Sequence, residues 1–184
     1  MQKWLIVYSS NTGNTEQIAK AMFQVLGSEA ADIYSIKEAP AVEQLPQYDI
    51  IAVGYWLTRG APDKAVQQWL HNLSGKRVVL FQTHGTDKYS EHSVTAFARA
   101  ASCLGDNCEV LGTFGCQGRI NPVLLNKRLT LSADDPHAPT ERNKKRWAMA
   151  AQHPDTTDLA EARQFIAAIQ RKLILREKYQ NTQQ

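Results

Sequence analysis

Three short runs in the first half of this chain are apolar without interruption: Leu5-Ile6-Val7, Ile50-Ile51-Ala52-Val53 and Val78-Val79-Leu80-Phe81. A strand with one wet face alternates in polarity. A short continuous run reads instead as a strand buried on both faces, as in a parallel sheet covered by helices on each side. The three belong to a set of five short runs, Lys3–Tyr8, Ala31–Ile36, Tyr48–Gly54, Arg77–Gln82 and Glu109–Cys116. Helical stripes separate them. Ile18, Met22, Val25 and Leu26 share one face, with Gly27 as a stop; Val66, Trp69, Leu70 and Leu73 follow a first-turn Pro62 and precede Gly75. Val94, Phe97, Ala98 and Ala101 form a third stripe. Leu159, Ala162, Ile166, Ile169 and Leu173 form a fourth, with Asp155 and Thr156 as cap candidates. Lys37 to Gln47 holds two prolines and is short for a crossover helix, so it reads as an irregular connection or a single helical turn. Alternating β and α elements imply an α/β fold with right-handed crossovers, and five parallel strands suit the order 2-1-3-4-5. In that order ligands bind beyond the carboxyl ends of the strands, at the switch between the first and third.

A chain of 184 residues, 43% hydrophobic and 21% charged, fits one domain over 1–175 with a polar tail at 176–184. Its net charge of +3 does not point to a nucleic-acid binder. The excess is local. Residues 119–154 carry seven Lys and Arg against three Asp and Glu, a net +4, which leaves −1 for the remainder. Four prolines punctuate this insertion, and a short helix is expected at about Thr140 to Ala150. Cys103, Cys108 and Cys116 lack metal spacing and read as buried thiols in a reducing compartment, with Cys116 structural rather than nucleophilic. No run approaches a membrane span, and the short apolar start is too brief for a signal peptide. The expected location is the cytoplasm.

Directly after the first run comes Ser9-Ser10-Asn11-Thr12-Gly13-Asn14-Thr15, where a helix begins. A helix N-terminus offers unpaired N–H groups and the positive end of the dipole; the hydroxyls add donors and Gly13 admits a close approach. The result is a phosphate cradle. It contains no Lys or Arg and no G-x-G-x-x-G, which disfavours a nucleotide triphosphate or a dinucleotide and suits one phosphomonoester.

Ser10-Asn11-Thr12-Gly13-Asn14-Thr15 resembles the phosphate-loop signature of the flavodoxin family, (T/S)-x-T-G-x-T. The Phe114–Gly118 stretch and His153-Pro154-Asp155 resemble a flavodoxin-like subfamily similar to the accessory flavodoxin of bilirubin reduction. The resemblance implies a flavodoxin-like three-layer sandwich and FMN as cofactor, its phosphate bound at Ser10, Thr12 and Thr15 by hydroxyl and at Asn11, Gly13 and Asn14 mainly by backbone. Ser9 lies one position upstream. By the same resemblance Tyr55, Trp56, Leu57 and Arg59, after the third run, line the flavin's inner face, with Trp56 the better stacking residue and Gly60 a candidate for the glycine near the ring. The family often has an acidic residue there; Arg59 in its place is expected to stabilise the reduced ring by Coulomb attraction. Thr83, His84 and Gly85, after the fourth run, fall where the family contacts the pyrimidine edge, and Tyr89 where it places an outer stack.

These features read as an FMN electron carrier serving redox partner proteins, with the basic insertion docking a partner or covering the site. The competing reading is an FMN-dependent NAD(P)H oxidoreductase acting on a quinone, a bilin or a similar small acceptor. No nicotinamide-binding motif is evident, which favours the carrier and leaves no residue assigned a catalytic role. No metal is expected.

Overall fold

The uninterrupted runs are the central strands of one sheet. A computed structural model, describing residues 2–182, arranges β1 (Trp4–Tyr8), α1 (Asn14–Leu26), β2 (Ala31–Ser35), a 3-10 helix (Val42–Gln47), β3 (Ile50–Thr58), β4 (Ala61–Pro62), α2 (Lys64–Leu70), β5 (Arg77–His84), α3 (Glu91–Ala101), β6 (Glu109–Gln117), α4 (Pro122–Leu129), α5 (Glu141–Ala150) and α6 (Thr156–Thr182). Five parallel strands lie in the order β2-β1-β3-β5-β6, and the two-residue β4 pairs antiparallel with β3 as a sixth. This is the expected 2-1-3-4-5 sheet with a small hairpin added.

Alternation along each strand sends side chains to two separate cores. Trp4 and Ile6 of β1, Ile50 and Ala52 of β3, and Val79 and Phe81 of β5 pack against Ile18 and Met22 of α1 and Ala162 and Ile166 of α6. Leu5, Val7, Ile51, Val53, Val78 and Leu80 pack on the opposite face against Val66 and Leu70 of α2 and Ala100 of α3. Because both faces are dry, neither parity can be polar. Each fully buried aliphatic side chain contributes about 1.5–3 kcal/mol relative to exposure.

The helices differ from the periodic reading in informative ways. Gly27 ends α1 with φ +78, its N–H donating to the Phe23 carbonyl. Pro62 sits in β4 rather than in a first helical turn; Asp63 caps α2, which stops at Leu70, although Leu73 still reaches the core. In α3 the inner positions are Ser93, Ala96 and Ala100, while Val94 is exposed. Ser93 tolerates this because its hydroxyl donates to backbone carbonyls and its own carbonyl accepts from Gln82 Nε2 at 2.6 Å. The Lys37–Gln47 connection contains the 3-10 helix.

α6 carries the expected stripe and its Asp155 cap, whose Oδ1 accepts from the Thr157 and Asp158 amides at 2.8 and 2.9 Å. Asp158 in turn lies 2.5 Å from His153 Nδ1 and accepts from the Asp155 amide. The helix runs on through the polar residues after Leu175 to Thr182. Arg176–Thr182 holds no Gly or Pro, its Arg, Glu, Lys and Gln are good helix formers, and Arg176 pairs with Glu109. None of the helices among the described residues is long and apolar enough to cross a membrane.

Two helices build the insertion. α5 matches the expected helix, with Thr140 as cap. α4 was not anticipated: Pro122 occupies its first turn and Asn121 Oδ1 accepts from the Val123 amide at 2.9 Å. A proline that reads as punctuation is here a helix start. Buried Ala138, Trp147 and Ala150 pack the segment, and Asn143 Nδ2 donates to the Ala138 carbonyl at 2.7 Å. Its two ends are tied together, the Arg119 amide donating to the His153 carbonyl at 3.0 Å.

Candidate functional site

The loop between β1 and α1 stands at the switch point of the sheet, where β1 is flanked by β2 and β3. Gly13 has φ +82, open space around it, and no side chain caps α1. The first amides of α1 therefore point out with no side-chain acceptor, beside a Ser10 hydroxyl that is buried without a partner. Such a set of unmet donors suits an anion. The Thr15 hydroxyl is engaged with that of Thr83, 2.9 Å away at the end of β5, which ties the loop to the neighbouring wall. Asn14 Nδ2 donates to Thr12 Oγ1 at 2.8 Å and to the Arg119 carbonyl at 2.9 Å.

A cleft of about 880 Å³ extends from this loop. That is near the upper end of the roughly 300–1,000 Å³ usual for small-molecule sites. Asn11, Thr12 and Asn14 line one side. Trp56, Leu57 and Arg59 line a second and Thr83, His84 and Gly85 a third. β3 runs past Gly54 to Thr58 and turns through Arg59 and Gly60, with φ of +53 and +76, into β4. Two successive positive φ values are what a two-residue hairpin needs to match strand twist. The turn is held by Arg99 Nη1, which donates to the Gly60 carbonyl at 2.9 Å.

His84 is buried at the end of β5. Its Nδ1, 3.1 Å from the Thr86 carbonyl oxygen, donates to it in the neutral tautomer, leaving Nε2 buried without a partner. Burial pushes its pKa down to about 4, so the ring is uncharged at neutral pH. The unfolded chain binds this proton below about pH 6.5 and the folded chain does not until about pH 4, so stability falls as pH drops through that window, by at most about 3 kcal/mol. Urea unfolding at pH 7 and pH 5 should show a His84→Gln chain losing less stability than the natural one. Equal losses would rule out His84 as the source.

Four expected site residues sit elsewhere. Tyr55 is fully buried among Val53, Leu80 and Leu70 on the α2 side, because strand alternation turns it away from Trp56. Ser9 is buried beside Asp63, whose carboxyl desolvation pushes up while the Ser9 hydroxyl and the Val66 and Ala65 amides pull it down. Tyr89 is 84% exposed under Lys88, outside the cleft lining. Gly60 lies in the hairpin turn against Arg99 and His92 rather than on the cleft lining. Ser10, Gly13 and Thr15 belong to the loop from which the cleft extends but are not among its lining residues. Cys116 is buried and its thiol is pushed up by desolvation, which keeps it protonated.

The wall that the sequence reading did not assign residue by residue is the insertion. The Gly118 amide donates to the His84 carbonyl at 2.9 Å, and Ile120 packs so closely on Gly85 that a Cβ there would lie 2.5 Å from Ile120 Cγ1. Beyond it, Leu124, Lys127, Arg128 and Leu131 with His137 and Arg146 complete the lining. The seven basic residues of the insertion thus divide. Arg119, Lys127, Arg128 and Arg146 line the cleft, Arg128 and Arg146 half-buried and the other two exposed, whereas Arg142, Lys144 and Lys145 are exposed outside it. Burial and the charge of Arg146 lower the pKa of Arg128, with Asp135 acting the other way. The only sequence signal for this wall was its local +4.

Residues 5–167 match a family described as the flavodoxin domain. The flavodoxin-like domain-containing protein BilS of Clostridioides difficile is 33% identical over 167 residues, which span 89% of this chain and 93% of that protein. The protein of the same name from Clostridium symbiosum is 28% identical over 179 residues, 89% of this chain and 94% of its own. Among solved structures, oxidised Flavodoxin 2 from Bacillus cereus superposes with a TM-score of 0.56 at 21% identity, over 92% of this chain and 99% of that one. At that identity the likeness is one of fold.

Proposed function

This chain belongs to the flavodoxin family, and from that premise we propose that it binds FMN and carries electrons to a redox partner protein. The observation that carries the reading is the α1 N-terminus: an uncapped helix start, a left-handed Gly13 and a buried, unpartnered Ser10 hydroxyl, all at the switch point. These donors fit a phosphomonoester. Ser10, Thr12 and the amides around Gly13 would hold the phosphate. Trp56 and Leu57 would cover the apolar ring, and the Thr83–Gly85 segment would meet its polar edge. Bound FMN supplies a redox centre that takes up and releases electrons one or two at a time. Arg59 brings positive charge to the same cleft and favours negative charge developing there. His84, neutral at physiological pH, contributes hydrogen bonding rather than a charge. The exposed Arg142, Lys144 and Lys145 on α5 are the face offered to an acidic partner.

A specific observation favours a second reading. The insertion lines the cleft, as the roof of a substrate pocket would. That reading is an FMN-dependent NAD(P)H oxidoreductase of a small acceptor such as a quinone or bilin. Visible spectra of FMN-reconstituted protein separate the two. Slow bleaching by NAD(P)H with full bleaching by dithionite is the expected result for a carrier, and rapid bleaching by NAD(P)H would transfer the conclusion to the enzyme. A chain that takes up no FMN would overturn both.

A further inference from the structure

Arg128 of α4 and Arg146 of α5 line the cleft together with Lys127 and His137, and the two guanidinium groups lie near enough for the charge of Arg146 to act on Arg128. Bringing two guanidinium groups together and partly out of water costs free energy, which the charge of Asp135 offsets only in part, without forming an ion pair. Neither arginine lies within 4 Å of a described carboxylate, and no Asp or Glu lines the cleft. Arg146 Nε is buried and donates to nothing. A buried donor without an acceptor is rare in folded chains and marks a place for one. Ile120, Leu124 and Leu131 add apolar lining to the same cleft.

Each guanidinium is a planar fork matched to a carboxylate or phosphate. Two forks in a cleft with apolar lining describe a molecule with an apolar body and two anionic groups. Their place inside a concave cleft excludes the broad contact of a protein surface, for which the exposed Arg142, Lys144 and Lys145 are better placed. We propose, building on the reading of the α1 loop as an FMN site, that the Arg128–Arg146 part of the cleft is a separate subsite for the carboxylates of a small organic dianion with an apolar body.

The probe is naphthalene-2,6-dicarboxylate, titrated calorimetrically into the FMN-loaded chain. Its dimethyl ester, inorganic phosphate and hexaglutamate serve as comparison ligands. The expected result is binding of the diacid, weakened roughly 10- to 100-fold by Arg128→Gln or Arg146→Gln. Arg→Lys at either position should restore part of that loss. The ester should bind at least about 10-fold more weakly than the diacid, and FMN affinity, read from flavin fluorescence, should stay unchanged in all four variants. Equal binding of ester and diacid would overturn the proposal, as would diacid affinity unchanged in both Gln variants. So would tighter binding of phosphate alone than of the diacid. Hexaglutamate binding more tightly than the diacid, and lost in Arg142→Gln/Lys145→Gln rather than in Arg146→Gln, would assign the charge to a protein partner and also overturn it. The same titration on FMN-free chain keeps the two readings apart. Diacid binding without FMN uptake would defeat the flavin reading alone, and FMN uptake without diacid binding would defeat the subsite alone.

Discussion

A Thr12→Asp chain will hold FMN roughly a thousandfold more weakly than the natural sequence while remaining folded. Thr12 lies in the loop before the uncapped start of α1, where its hydroxyl oxygen accepts from Asn14 Nδ2 at 2.8 Å. For the free protein an aspartate here is nearly harmless. A negative charge at a helix N-terminus contributes about 0.3–1 kcal/mol of stabilisation, and the Asn14 amide keeps an acceptor. Against this stands the lost donation to the Arg119 carbonyl, a long contact of 3.4 Å. The net change in stability should lie within about 1 kcal/mol. For a phosphate the same carboxylate is decisive. A like charge about 4 Å away costs about 4 kcal/mol at an effective dielectric of about 20, close to a factor of a thousand. The two effects separate cleanly, because denaturant midpoint reports the first and quenching of flavin fluorescence the second. A Thr12→Asp chain that binds FMN as tightly as the natural one would mean that the phosphate is held elsewhere.

The second large effect is structural. Gly54 pairs in register with Tyr8 and Phe81 at the middle of the sheet, and a Cβ on it would lie 2.2 Å from both Cε2 and Cζ of the Phe81 ring. Phe81 is fully buried against the α1 and α6 core and has no space into which to swing. Gly54→Ala is therefore expected to cost about 3 kcal/mol, the upper end for overpacking. For a domain of this size that is a fall in Tm of roughly 6–12 °C. Phe81→Leu removes the opposing ring edge. The double variant should be more stable than the sum of the two single losses by at least about 1 kcal/mol. Strict additivity would show that the clash is relieved by a backbone shift, and that Gly54 is not chosen for the ring beside it.

The apolar runs were legible because a parallel sheet with two dry faces leaves few polar positions in its central strands, and runs as short as Leu5-Ile6-Val7, bounded by turn residues, suit a strand better than a helix. The loop was legible for a related reason. Hydroxyls clustered around a glycine at a strand-to-helix junction are a local pattern, whereas the missing side-chain cap of α1 is visible only in the folded chain. Tyr55 and Trp56 show where such reading stops. They are adjacent, both aromatic, and their separation depends on β3 continuing to Thr58 instead of ending at Gly54, a choice made by the β4 hairpin and Arg99. Ser93 displaced the expected Val94 stripe because its polar atoms find partners only in the folded chain.

By itself, then, the amino-acid sequence determined the buried strands, the helices that cover both faces of the sheet and the hydroxyl-rich loop at the start of α1. Each follows from periodicity or from clustered residue types, and these act over a few positions. The roof of the cleft was decided only in three dimensions. Residues 119–154 announce their charge but not its direction. Which basic side chains turn inward depends on where α4 begins, on the Gly118 amide meeting the His84 carbonyl, and on the Arg119 amide meeting the His153 carbonyl. Those contacts join positions more than thirty residues apart. Charge placement across such distances is set by packing, because no local periodicity distinguishes Arg146 in the cleft from Lys145 beside it in solvent.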